Sequence, residues 1–491
     1  MELIASYDFG TSGVKAVLVD GSGKVKGYSS ESYPLLSPQP GWAEQVPGDY
    51  WTAVCKATRA VVAQTGVRSD QIKGLVFGAM WKGIIPIDRY GNELHNCIIW
   101  LDGRAGKQAR ELNERMGTQR FCAQDYWPKL MWLRDERPEI YEKSVYILEN
   151  NAYLKYKATG KMASDLSNCF TSSTKPELNE EYGRIVQAAA LDADKFPPCV
   201  DPWENVGGIT ASAAVELGLC EGTPVFGGCG DIPAIAVGSG SGALGAAHLY
   251  LGSSGWLGLT GASRTEVTAE AYQSLDREKE ILLYTLQSAC MSFDWAISLL
   301  YAREKEELGS DVYRVVNEDV SKVPPGSEGL IATTWLHGER PPLSETARAM
   351  FFNLNARHRR EHCLNAMMEA VCCMFRWKLE AYEQTTGRVV PKLRIVGGGT
   401  QSPHWMQMMA DVLQVPIEIP PGARHAGAVG TAYCALIGLG LCRNFEEANE
   451  RIGVEQIYLP RKEHAVCYEQ LFRVIQELYT ALKNIFYQLN A

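Results

Sequence analysis

The chain has 491 residues, 46% of them apolar and 21% charged, enough for a normal globular core spread over about two to four domains. Its formal net charge of -9 argues against a nucleic-acid partner, which calls for a basic surface. The same charge does not exclude a small anionic ligand held by a local loop.

In chain order, residues 3–9, 14–20 and 24–30 alternate as strands, with "DGSG" (20–23) as a hairpin turn. "PGDYWTAVCKATRAVVAQTG" (47–66) has helical apolar spacing, a Pro start and a Gly stop. Strand-like "IKGLVFG" (72–78) and "GIIPID" (83–88) follow, and 105–160 reads as mostly helical. Such mixing of strands and helices predicts an α/β chain. The Gly-rich run "PVFGGCGDIPAIAVGSGSGALG" (224–245) leads into "AAHLYLGSSGWLGLTG" (246–261), where "YLGSSG" (250–255) echoes "YDFGTSG" (7–13). Two such turns predict a duplicated domain, 1–245 and 246–491. The second half carries helical 358–386 and 402–415, strand-like "KLRIVGGG" (392–399) and one long closing helix over 463–489.

"MELIASYDFG" has no basic run or long apolar core, so no signal peptide is expected. Apolar runs such as "YCALIGLGLC" (433–442) are about half the length of a membrane helix. Fourteen scattered cysteines without a CxxC fit reduced thiols in a cytoplasmic protein.

Three turns carry chemistry. In "DFGTSGVK", backbone N–H groups and the hydroxyls of Thr11 and Ser12 can nest phosphate oxygens, and Asp8 can hold Mg²⁺ through water; the alternative is a polar hairpin turn. In "GGCGD" (227–231), Asp231 can take a proton from a hydroxyl, or simply cap the next helix. "GGGTQS" (397–402) fits either a nucleoside passing close to backbone or a tight strand-to-helix turn. Two motifs are decoys. "GSGALG" (240–245), with Glu266 beyond, runs into a strand rather than opening a helix, and "HRREH" (358–362) has no third metal ligand near it in sequence. No Walker A sequence occurs, so any use of ATP proceeds without a P-loop.

Taken in order, "DFGTSGVK", "GWAEQVPGDYW" (41–51), "IIWLDGRA" (98–105), "GGCGD", "YLGSSG", "GERPPLSETARAMFFNLN" (338–355) and "GGGTQSPHWMQMMADVLQVPI" (397–417) resemble the FGGY carbohydrate kinases, nearest to the xylulokinases. The resemblance spans almost the whole chain. It implies two actin-like (ribonuclease-H-like) ATPase domains with a central cleft, and transfer of the ATP γ-phosphate to a hydroxyl of a ketose or polyol. It places Asp8 at the Mg²⁺-associated acid and Thr11 and Ser12 in the first phosphate loop. Gly252 and Ser253 fall in the second loop, Gly398, Gly399, Gln401 and Ser402 in the adenosine site, and Asp231 at the catalytic base. The two loops would meet on cleft closure, excluding water. The implied partners are ATP and a small sugar or polyol, with no nucleic acid and no membrane; a homodimer is one assembly left open.

At the sugar site the pattern departs. Xylulokinases of the familiar type carry Gln-Met-His where this chain has Ala79-Met80-Trp81, and Asp-Asn where it has Asp231-Ile232. The Arg-Glu pair of glycerol kinases is not matched either. Met80, Trp81, Trp100 and Asp231 are the expected substrate-binding residues, with Trp81 offering an apolar face and one N–H donor. Asp102 and Arg104 are expected to hold the Trp100 loop. Since lost hydroxyl partners can change selectivity by about 10⁴–10⁵, an acceptor other than plain D-xylulose is expected. The competing classes are a kinase-derived sugar sensor without turnover and an actin-like nucleotide switch.

Overall fold

The computed structural model describes residues 2–168, 176–262, 270–340 and 343–490. Glu266, noted with the GxGxxG decoy, lies outside them. The chain packs as two units. The first gathers Met1–Gly238, Gln273–Arg277 and His425–Arg451; the second gathers Ser239–Tyr272, Glu278–Arg424 and Ile452–Ala491. Compared with a single division at residue 245, the packing returns 425–451 to the first unit.

The first unit is built on β1 (Leu3–Phe9), β2 (Gly13–Asp20), β3 (Val25–Ser32), β4 (Ile72–Ala79), β5 (Asn205–Gly208) and β6 (Pro224–Gly230). Among the described residues these form one sheet in the order β5-β6-β4-β1-β2-β3. β1 and β4 are buried along nearly their whole length and lie in the middle, where both faces are covered. By contrast, "VKGYSSES" of β3 alternates half-buried and exposed residues, as an edge strand does. The helix Pro47–Thr65 starts on its proline and stops at Gly66, whose φ of 66° lets its N–H return to Val62. It locks onto β1 through Tyr7 Oη and Thr58 Oγ1, 2.8 Å apart.

The second unit uses β7 (Ala247–Leu251), β8 (Gly255–Ala262), β9 (Glu270–Gln273), β10 (Lys279–Leu286), β11 (Leu393–Val396), β12 (Ile417–Ile419) and β13 (Gln456–Tyr458). Their order is β9-β10-β8-β7-β11-β12-β13. Both sheets follow one plan. β1 is antiparallel to β2 and parallel to β4, as β7 is antiparallel to β8 and parallel to β11. β6 continues parallel beyond β4 and β12 beyond β11. Antiparallel β3 and β5 flank the first set, as β10 and β13 flank the second. The duplication suggested by two similar turns is thus a duplication of six strands. Long helices Arg360–Thr386 and Ala465–Asn490 accompany the second sheet. No helix among the described residues is long and apolar enough to cross a membrane.

The returning segment explains its own destination. The helix Ala426–Gly438 begins "AGAVGTA", and its small side chains let it settle on β1, β4, β6 and the helix Asp231–Gly238. Ser6 of β1 donates to the Ala428 carbonyl at 2.6 Å.

Candidate active site

The strand register decides which residues meet in the first unit. Phe9 of β1 pairs with Ala79 of β4, and Ala79 pairs with Gly230 of β6. Three neighbouring strands therefore end in one row. The residues that follow them, 10–12, 80–82 and 231 onward, emerge side by side at the carboxyl ends of parallel strands, where open α/β sheets bind ligands.

Asp8 faces Lys15 across the β1–β2 hairpin, Nζ to Oδ2 3.1 Å. Gly427, in the first turn of Ala426–Gly438, lies so close that a Cβ there would sit 3.2 Å from the Asp8 carboxyl carbon. A helix N-terminus thus faces this acid, and its partial positive charge suits an anion. The turn itself is tightly held. Gly10 N–H bonds the Gly13 carbonyl at 3.0 Å, the Tyr33 hydroxyl donates to the Gly10 carbonyl, and Gln45 Nε2 donates to the Thr11 carbonyl at 2.8 Å. The indole N–H of Trp100 donates to Thr11 Oγ1 at 2.8 Å. Thr11 is half-buried and Ser12 is exposed.

Asp231 opens the helix Asp231–Gly238 and accepts the Ile232 N–H at 2.9 Å. Burial, and secondly the charge of Asp8, push its pKa from 3.8 up to about 7. The strand before it is fixed from below. Gly230 N–H donates to Ser167 Oγ at 2.7 Å, and that hydroxyl donates to Asp165 Oδ1 at 2.7 Å. Asn151 donates to the other Asp165 oxygen at 2.7 Å, and the buried Lys155 to the Gly227 carbonyl at 2.8 Å. The Trp81 ring lies directly over Gly230: a Cβ at 230 would overlap its indole nitrogen, which only glycine avoids. Trp81 and Trp100 are both half-buried, whereas Met80 is 3% exposed in the core, its N–H bonded to the Phe9 carbonyl at 2.9 Å.

Asp102 and Arg104 hold the Trp100 loop. Asp102 accepts the Ala43 N–H at 2.5 Å and both the backbone N–H and Nε of Arg104, at 3.0 and 2.8 Å. Arg104 also pairs with Glu44 at 2.7 Å and lies 3.7 Å over the Trp42 ring.

The second unit repeats the arrangement. Tyr250 of β7 pairs with Val396 of β11, so the turn 252–254 and the turn 397–402 emerge together. The Gly252 carbonyl accepts the Cys290 N–H at 2.9 Å, and the Ser253 carbonyl accepts those of Ala289 and Met291, both at 3.0 Å. Gly252 is buried and Ser253 exposed. Gly398, Gly399 and Gln401 form a 3₁₀ turn in which Gly398 and Gln401 are exposed and Gly399 rests against Leu251. Ser402 is the N-cap of the helix Pro403–Leu413: Oγ accepts the Trp405 N–H at 3.2 Å and donates to Asn317 at 2.6 Å.

Each unit therefore offers a Gly/Ser-rich turn at the carboxyl end of a strand, and the first adds two neighbouring acids, one poised near neutrality. That combination suits phosphoryl transfer to a hydroxyl, where positioning and charge stabilisation do most of the work. The sequence patterns of the FGGY family of carbohydrate kinases match here in both halves, the N-terminal domain over residues 3–238 and the C-terminal domain over 247–439.

The chain belongs to the FGGY family of carbohydrate kinases.

It is 26% identical to a xylulose kinase of Bacillus subtilis over 99% of this chain and 98% of that one. It is 28% identical to an L-xylulose/3-keto-L-gulonate kinase of Escherichia coli over 97% and 96%. The crystal structure of xylulose kinase from Rhodospirillum rubrum superposes with a TM-score of 0.81 at 25% identity, covering 99% of this chain and 100% of that one. The fold is thus the duplicated actin-like ATPase fold, and the protein is a sugar phosphotransferase that uses ATP.

The expected site residues of this kinase fall into two groups. Asp8, Thr11, Ser12, Trp81, Trp100 and Asp231 share one edge of the first sheet, and Gly252, Ser253, Gly398, Gly399, Gln401 and Ser402 share the matching edge of the second. Two side chains are committed within the fold: Met80 continues β4 into the core, and the Ser402 hydroxyl caps a helix. Sequence reasoning missed Gln45, Tyr33 and Ser167, each of which holds a backbone group of a distant segment. Lys15 was readable, being in strand register with Asp8.

Proposed function

We propose that this kinase transfers the ATP γ-phosphate to a primary hydroxyl of a ketose or linear polyol, with Asp231 as the general base and with an acceptor other than plain D-xylulose. The carrying observation is Asp231 itself, set at the end of β6 beside Asp8 and next to the Gly230 that Trp81 covers, with a pKa raised to about 7. A base of that pKa is half-ionised at neutral pH and takes a proton as the new O–P bond forms, help worth roughly 10²–10⁴ in rate. Thr11, Ser12 and the backbone of both Gly-rich turns would hold phosphate oxygens. Gly398, Gly399 and Gln401 would meet the adenosine through their exposed backbone and side chain.

Magnesium fits Asp8. The described residues contain no group of three or more His, Cys, Asp or Glu able to cage a metal. Mg²⁺ does not need one, since it keeps several waters and binds one or two carboxylates plus substrate phosphates. The mutual repulsion of Asp8 and Asp231 is also what a nearby dication relieves. When bound, the ion would neutralise charge on the phosphates. Every cysteine among the described residues is free, which accords with a reducing, cytoplasmic setting.

The acceptor reading rests on the pocket residues. Trp81 covers Gly230 where xylulokinases of the familiar type carry a histidine, Ala79 is fully buried, and Ile232 offers no polar side chain beside Asp231. A tryptophan face favours sugar C–H groups over hydroxyl donors. Relatives at similar identity carry different names, from xylulose kinase to autoinducer-2 kinase at 26%, so identity alone does not choose the acceptor. A phosphorylation assay across ketoses, polyols and their acids tests the proposal. A kcat/KM for D-xylulose far above all others would overturn it.

A further inference from the structure

Lys129 is fully buried, with 0% of its surface exposed, in the helix Tyr126–Glu136. A buried ammonium is costly unless its donors are used. Here Nζ donates to two backbone carbonyls, that of Lys82 and, at 3.1 Å, that of Ile99. These residues are separated by 17 positions, and each adjoins a tryptophan of the candidate sugar site: Trp81 precedes Lys82, and Trp100 follows Ile99. One ammonium thus ties together the two loops that present the two rings.

The Lys82 backbone has a particular need of that tie. Its φ of 63° is left-handed, a conformation that side-chain-bearing residues rarely adopt without support. The same helix supports it twice. Asp125, the residue before the helix, takes the Lys82 ammonium at 2.6 Å and is itself fixed by the Cys122 N–H at 2.8 Å. Four residues on, Lys129 takes the Lys82 carbonyl. Trp100 is in turn bonded to Thr11, so the tie extends to the first phosphate turn. Burial also lowers the Lys129 pKa from 10.5 to about 7, with the charges of Asp102 and Asp125 pulling it the other way.

We propose that Lys129 is a positioning residue of this kinase: it sets the spacing of Trp81 and Trp100, and so the fit of the sugar, without touching the sugar. The proposal rests on the reading that these two tryptophans line the acceptor site. Lys129→Met keeps the length and apolar stem and removes all three donors. In the full chain it is expected to raise the sugar KM about tenfold or more, the scale of a misplacement of about 1 Å, and to alter the order of preference among sugars. The ATP KM should stay within about twofold, and a cooperative thermal melt is measured to show that the variant is folded.

Trp81→Ala and Trp100→Ala are measured alongside. If neither changes the sugar KM, the acceptor-site reading fails. If they raise it while folded Lys129→Met leaves both KM and sugar order unchanged, the positioning role is refuted. An equal loss of kcat with every sugar at unchanged KM refutes it as well. Should Lys129→Met not fold, Lys129→Gln, which keeps two donors on a shorter stem, decides by the same readout. As a control, Lys82→Gly keeps the left-handed backbone and loses only the Asp125 pair, and should shift the sugar KM less than Lys129→Met does.

Discussion

Replacing Asp231 with asparagine separates charge from shape at the proposed base. The amide has nearly the same size, and its carbonyl oxygen can still accept the Ile232 N–H that the carboxylate accepts at 2.9 Å. Only the ionisation is lost. The pKa rises from 3.8 to about 7, a shift of about three units, and each unit corresponds to about 1.4 kcal/mol. The ionised carboxylate therefore opposes folding by at most about 4 kcal/mol. Asp231 is only half-buried by its surface, and screening by solvent brings the expected figure down to the order of 2 kcal/mol.

The sign follows from proton counting. Unfolded chains release this proton near pH 4, whereas the folded chain keeps it to about 7. The folded state thus binds more protons in that window, so stability falls as pH rises from about 4 to about 7 and stays low above it. Thermal melts of the two proteins should coincide near pH 4, and Asp231→Asn should become the more stable by pH 8. Sugar-dependent ATP turnover at pH 7.5 should drop by about 10²–10⁴, and the wild-type kcat/KM should fall about tenfold per pH unit below 7. An Asn variant with full sugar-dependent activity would refute the assigned base. A melting difference that does not grow with pH would refute the burial argument.

Removing the Lys15 charge in Lys15→Met leaves Asp8 unneutralised beside Asp231. Its acid limb should then move to higher pH by a few tenths of a unit, modest because Lys15 is 38% exposed; a shift to lower pH contradicts the coupling. Gly230→Ala places a Cβ into the Trp81 indole, so the ring must move. Steady-state kinetics should show a sugar KM raised by about tenfold with ATP KM little changed. Trp100→Phe keeps an aromatic face but loses the 2.8 Å bond to Thr11. A net hydrogen bond is worth about 1 kcal/mol, so kcat/KM for ATP should fall by about fivefold, and an unchanged value would detach Trp100 from the phosphate turn.

Much of the kinase was legible in its sequence because the informative features are local. The turns 10–13 and 252–255 are Gly/Ser-rich stretches bounded by alternating apolar residues, and both strand hairpins formed where that pattern placed them. "GSGALG" was rightly set aside, since β7 begins at Ala247. The helix 360–386 and the long closing helix also follow from apolar periodicity alone. Asp231 does begin a helix, as its capping reading requires, and its role as a base is what the Asn variant tests.

What sequence alone determined is therefore the identity of the short-range devices: the Gly-rich turns, the acids at strand ends, and the duplication that pairs them. Tertiary structure decided which of these devices meet, because strand register and helix return are long-range choices that no local pattern encodes. The return of 425–451 brings a helix N-terminus to Asp8, more than four hundred residues earlier. Met80 turned into the core while Trp81 turned over Gly230, because successive side chains of an extended segment point to opposite faces. Lys129 acquired its place only when two loops, each folded by its own contacts, left their carbonyls pointing at one buried ammonium.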